Sequence, residues 1–142
     1  MKIAVDFDGT IVEHKYPAIG PELLFAVETL KELQKQKHQL VLWTYRTGKE
    51  LEEAVEYCRQ RGLEFYAVNK NYPEEEYDEE VISRKINADL YIDDRNLGGF
   101  PGWQTIYEMI TSGRCYEPVM LNAENAYPEQ GKGTFLKNLF KR

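Results

Sequence analysis

Apolar residues along this chain fall into two kinds of pattern, short continuous runs and longer stretches in which they recur every three or four positions. The first marks buried strands and the second amphipathic helices. Ile3-Ala4-Val5 with Phe7 is a short run that ends in acids and Gly9, as a buried strand does. Pro21 opens a predicted helix whose inward stripe is Leu23, Val27, Leu30 and Leu33. Leu40-Val41-Leu42-Trp43 reads as a second strand. Thr47 with Glu50 makes a capping-box pattern that starts a second helix, with Leu51, Ala54, Val55 and Cys58 inward and Gly62 as its stop. The pattern then predicts a third strand over 64–68, a polar loop over 69–77, a short helix over 78–86 and a fourth strand over 88–92. A last clear helix holds Ile106, Met109 and Ile110. This alternation predicts an α/β fold, a parallel sheet with right-handed crossovers and helices on both faces. Residues 1–142 read as one domain, with a core over 1–113 and a C-terminal extension over 114–142. Within the extension, 116–121 suit an edge strand, and Phe135, Leu136, Leu139 and Phe140 suit a short terminal helix that docks on this protein or on a twin subunit.

Composition narrows the partners. With 42% hydrophobic and 30% charged residues in 142, the chain can build a core and stay soluble. A net charge of −6 argues against a nucleic-acid partner, which calls for a basic face. It is compatible with a small anionic substrate, because a metal ion and a few local cations outweigh the global field. Cys58 and Cys115 give neither a disulfide framework nor metal-ligand spacing, and Cys58 falls on an apolar stripe. The N-terminus reaches Asp6 too soon for a signal peptide, and no apolar run approaches the ~20 residues of a membrane span. The expectation is a cytoplasmic protein with no membrane partner, compatible with a homo-oligomer.

In open parallel sheets, ligands bind beyond the carboxyl ends of the strands. Asp6, Asp8, Gly9 and Thr10 close the first predicted strand, Thr44, Tyr45 and Arg46 the second, and Asp93, Asp94 and Arg95 the fourth, which Lys85 precedes. Asp6 and Asp8 flank Phe7 and project to one side of an extended segment. Acids gathered in one crevice repel unless a cation joins them, and an all-oxygen set suits Mg²⁺. Thr44 adds a hydroxyl and Lys85 a fixed positive charge for phosphate oxygens, which completes a set for phosphoryl transfer. Each residue alone has an ordinary explanation, as a cap, a strand residue or a solvated charge; their combination is what points to chemistry.

Val5-Asp6-Phe7-Asp8-Gly9-Thr10 resembles the DxDGT signature of the haloacid dehalogenase-like (HAD) superfamily. Thr44 ending an apolar strand, Lys85 before the last core strand and the acidic pair Asp93-Asp94 follow in that family's order. The resemblance implies a Rossmann-like three-layer α/β/α sandwich. It also implies a phosphohydrolase that works through an aspartyl-phosphate. Asp6 would be the nucleophile and Asp8 the general acid/base, with Thr44 and Lys85 holding the phosphoryl group. Mg²⁺ would be held by the Asp6 carboxylate, the Asp8 main-chain carbonyl, Asp93 and Asp94. Gly9, Thr10, Tyr45, Arg46 and Arg95 are candidate substrate contacts. Lys85 is followed by Ile86 where many relatives have proline; Lys85 remains the assignment, with Arg84 the less favoured alternative.

Neither the 11–20 connection nor the 69–77 loop has room for a folded cap domain, so a comparatively open site is expected, with His14, Lys15 and Tyr16 near its mouth. Tyr72 and Tyr77 suit loop packing or stacking on a substrate ring. The substrate would be a small phosphorylated metabolite such as a sugar phosphate or nucleotide. The rival readings are a receiver-type signalling domain, disfavoured by motif order, and a non-catalytic metal- or phosphate-binding or assembly protein with a relict site. P-loop chemistry is disfavoured because Gly131-Lys132-Gly133-Thr134 lacks the required spacing.

Overall fold

The computed structural model describes residues 1–116. The elements are β1 (Lys2–Val5), α1 (Ala26–Lys35), β2 (Gln39–Leu42), α2 (Gly48–Gln60), β3 (Ala67–Val68), β4 (Leu90–Ile92) and α3 (Trp103–Thr111). The strands form one four-stranded sheet in the order β3-β2-β1-β4. Every pairing is parallel: Ile3 lies beside Leu40 and Leu90, Val5 beside Leu42 and Ile92, and Val41 beside Ala67. This is an α/β fold. Successive strands step from β1 to β3 in one direction, and the chain then crosses back to place β4 on the far side of β1. The order therefore reverses at the β1–β4 pair, where such sheets carry their ligand crevice.

The period of two along each strand sorts the core. Ile3, Val5, Leu40, Leu42 and Ile92 share one cluster with Val27, Leu30 and Leu33 of α1, Ala54 and Cys58 of α2, and Trp103, Ile106 and Ile110 of α3. All three helices thus pack on the same face of the sheet. Val41 and Ala67 point the other way and meet Ile86, with Trp43 and Ala88 beside them. The segment that covers this second face is the 69–88 crossover, which a right-handed connection places there. Among the described residues that crossover holds no helix, so the expected second helical layer is replaced by irregular chain.

The reason is local. Asp78 accepts a hydrogen bond at its side chain from the Glu80 amide (3.0 Å), and Ser83 Oγ accepts one from the Lys85 amide (3.1 Å). Such side-chain bonds compete with helix propagation. Only one helical turn survives, closed by the Ile82 amide on the Asp78 carbonyl at 2.8 Å. The first helix also starts later than Pro21. The Glu13 amide donates to the Pro21 carbonyl (2.8 Å) and the Leu23 amide to the Ile11 carbonyl (2.9 Å), so this backbone pairs as extended chain. Phe25, with φ of 65°, then sets the boundary. Thr47 does occupy the N-cap of α2, but its side chain makes no capping bond. The third and fourth strands are shorter than the apolar runs that predicted them.

The expected edge strand over 116–121 falls almost wholly outside the described residues, and the expected terminal helix of Phe135, Leu136, Leu139 and Phe140 falls entirely outside them. Tyr116 itself lies in a turn and donates its hydroxyl to the Asp89 carbonyl at 2.7 Å. Among the described residues, no helix is long and apolar enough to cross a membrane.

Candidate active site

The parallel register brings the ends of β1 and β4 side by side. The Asp6 amide donates to the Ile92 carbonyl at 2.9 Å, so the residues that follow each strand emerge together. Asp6, Asp93 and Asp94 each present a carboxylate oxygen within 4.8 Å of the others. A cavity of about 270 Å³ opens beside them, lined by Asp6, Asp8, Trp43, Thr44, Tyr45, Asp93 and Arg95. A larger, shallower groove runs along α1, but its charges include the pairs Lys35–Glu32 and Arg61–Glu22, and among the described residues no acid triad gathers there.

Asp6 is only 8% exposed. Burial pushes its carboxyl up to about 7, against the lowering effect of a hydrogen bond from the Phe7 amide, and the charges of Asp93, Asp94 and Asp8 add to the rise. Asp94 leans on Gly9: a Cβ on Gly9 would lie 2.1 Å from Asp94 Oδ2, and the glycine has φ of +85°. Only glycine permits this approach. Asp94 Oδ1 is buried and has no hydrogen-bond partner among the described residues. A buried carboxylate oxygen without a donor calls for a water or an ion. Three clustered acids of this kind suit a hard divalent cation, which favours oxygen ligands.

Thr44 is held from two sides. Its amide donates to Asn69 Oδ1 at 2.8 Å and its hydroxyl accepts from the Arg46 amide at 3.3 Å. Asn69 also donates from Nδ2 to the Arg46 carbonyl at 3.4 Å, and its φ of 52° turns it back over this loop. Trp103 donates from Nε1 to the Thr10 carbonyl at 2.8 Å, which ties α3 to the turn after β1. Sequence reasoning missed both residues. An asparagine directly after a strand, a type that tolerates the left-handed region, was the available signal for the first. No pattern within one segment signals the second.

The structure gathers Asp6, Asp8, Thr44, Tyr45, Asp93 and Arg95 around one cavity and sets Asp94 against the same acids. Other candidates are not among the residues that line the cavity. The Gly9 amide donates to the Val12 carbonyl at 2.7 Å and is therefore engaged within its own turn. Thr10 is fully buried. Lys85 is exposed and sits with Nζ 5.0 Å from the centre of the Tyr91 ring, outside the lining of the cavity. Arg84 lies over Tyr77. Arg46 is 0% exposed and forms a bidentate pair with Asp8, itself 2% exposed, at 2.6 and 2.7 Å.

A solved structure of a conserved protein from Bacteroides thetaiotaomicron matches this chain at 61% sequence identity with a TM-score of 0.75, over 83% of this chain and 98% of that one. The chain belongs to that protein's family. No protein-family model and no curated protein matches the sequence. At this identity and TM-score the two chains share their fold.

Proposed function

We propose that this protein is a Mg²⁺-dependent phosphohydrolase with a HAD-like, Rossmann-like core, acting on a small phosphorylated metabolite such as a sugar phosphate or nucleotide. The observation that carries the reading is the convergence of Asp6, Asp93 and Asp94 at the β1–β4 crevice, beside a cavity that Thr44 also lines. The DxDGT resemblance of the β1 turn supports the same chemistry. Asp6, Asp93, Asp94 and the Asp8 main-chain carbonyl would hold the ion. Bound there, Mg²⁺ supplies the positive charge that offsets the acids and the phosphate oxygens.

A carboxylate oxygen of Asp6 attacks phosphorus, and the bond from phosphorus to the leaving oxygen breaks as Asp8 gives that oxygen its proton. An aspartyl-phosphate and a neutral alcohol result. Asp8, now a carboxylate, takes a proton from water as the water oxygen attacks phosphorus, releasing phosphate and restoring Asp6. Thr44 and Arg95 line the cavity, and their hydroxyl and guanidinium would meet the phosphate oxygens there. Trp43 and Tyr45 give the same cavity an apolar wall for the rest of the substrate.

The test is release of inorganic phosphate from an aryl phosphate with and without Mg²⁺, followed by mass analysis of the acid-quenched protein for phosphate on Asp6. Metal-dependent turnover with label on Asp6 is the expected result, and no turnover by the folded protein refutes the reading. A non-catalytic metal- or phosphate-binding or assembly protein is favoured by one observation, the place of Lys85 outside the lining of the cavity. The same assay separates the two readings.

A further inference from the structure

Arg46 follows Thr44 so closely that it reads in sequence as a substrate contact, yet the fold buries it completely. Nε donates to Asp8 Oδ2 at 2.6 Å and Nη2 to Asp8 Oδ1 at 2.7 Å. Two further donors go to main-chain carbonyls, Nη1 to that of Pro17 at 3.0 Å and Nη2 to that of Ala18 at 2.9 Å. The guanidinium carbon lies 5.1 Å from the centre of the Phe7 ring and 5.2 Å from that of Tyr16. Tyr16 in turn packs against Tyr45, with 5.0 Å between ring centres, and Tyr45 lines the cavity.

We propose that Arg46 is a positioning residue, which sets the plane of the Asp8 carboxyl for proton transfer and anchors the 16–18 segment of the cavity mouth to the same point. This inference rests on the hydrolase reading above. A planar fork fixes both oxygens of a carboxylate at once, whereas an ammonium fixes a point charge only. Each carboxylate oxygen has two lone-pair directions. The fork occupies one on each, so the other remains for the proton that Asp8 gives to the leaving oxygen. Arg46 itself is sealed off from the substrate and acts through Asp8.

The experiment compares kcat/KM for two phosphomonoesters. Dinitrophenyl phosphate has a leaving group that departs without a proton, and a simple alkyl phosphate has one that needs it. Because kcat/KM extends only to the first irreversible step, it reports formation of the aspartyl-phosphate and not its hydrolysis. In Arg46→Lys, the alkyl ester should lose roughly 100-fold more than the aryl ester, the lower end of what a positioned acid contributes. Asp8→Asn should discriminate in the same direction, and adding Arg46→Lys to Asp8→Asn should leave the aryl-to-alkyl ratio where Asp8→Asn put it. Equal losses on both esters, or a ratio that changes further in the double variant, would overturn the role of Arg46 and leave the hydrolase reading standing. No turnover by the unaltered protein would overturn both. Should Arg46→Lys be recovered unfolded, Arg46→Gln combined with Asp8→Asn removes both buried charges together. Its ratio must equal that of Asp8→Asn alone, and any other value refutes the assignment.

Discussion

Neutralising Asp6 should stabilise the metal-free protein, and the effect should depend on pH in a defined direction. Burial and the surrounding acids raise this carboxyl from 3.8 in its ordinary state to about 7 in the fold. Because the folded value lies above the unfolded one, the native state binds more protons than the unfolded state between those limits. The contribution of Asp6 to stability is fully present below about pH 4 and is lost as pH rises through about 7. At ~1.4 kcal/mol for each pH unit between the two values, ionising Asp6 in the fold costs about 4 kcal/mol. For a domain of this size that is a fall in Tm of about 10 °C. Asp6→Asn has nearly the same shape and no charge to ionise. In EDTA, thermal melts should show wild type losing stability from pH 4 to pH 8 relative to Asp6→Asn, with the variant the more stable at pH 8. Mg²⁺ at about 100 times its dissociation constant should return roughly 2.7 kcal/mol to wild type at pH 8 and much less to Asp6→Asn. Parallel pH profiles for the two proteins in EDTA, or equal responses to Mg²⁺, would refute the reasoning that these acids form one repulsive, cation-seeking cluster.

Four other outcomes follow from named contacts. Asp93→Asn should lower metal-dependent phosphate release by at least about 100-fold with the fold intact by circular dichroism, since it removes one acid of the cluster. Gly9→Ala should destabilise by about 2–4 kcal/mol in urea melts, because the new Cβ meets Asp94 Oδ2 at 2.1 Å and the backbone sits at φ +85°. Asn69→Ala should lose about 2–3 kcal/mol in the same assay, from the orphaned Thr44 amide and from alanine at φ of 52°; a loss below 0.5 kcal/mol would show that the bracket is not structural. The Cys58 thiol, which burial pushes up to about 12, should resist alkylation at pH 8 in the native protein and react once urea unfolds it. Mass mapping of the labelled cysteine checks this.

The strand ends were legible in the sequence because a buried strand has a local signature, and the acids that stop it are adjacent in the chain. Val5-Asp6, Leu42-Trp43-Thr44 and Ile92-Asp93 all mark such ends, and the parallel register then places them at one edge of the sheet. The helix stripes were legible for the same reason: Val27, Leu30 and Leu33, and Ala54 and Cys58, all face the core. Where elements failed to form as expected, local hydrogen bonding overrode periodicity. Pro21 and Leu23 pair their carbonyl and amide with the 11–13 backbone, and Asp78 and Ser83 cap their own turns where the short helix was expected. Composition alone does not reveal those competitors.

What the sequence by itself determined is therefore the kind of protein: a parallel α/β sheet with acids and a threonine at its strand ends, since periodicity and adjacency are properties of neighbours along the chain. What only the tertiary structure decided is which charges meet. Arg46 pairs with Asp8 across the sheet instead of facing a ligand, Asp94 closes onto Gly9, and Lys85 rests on Tyr91. The physical reason is that a charge in a crevice interacts with whatever packing brings within a few ångströms, at any distance along the chain. Burial then makes each such encounter strong by excluding the water that would otherwise screen it.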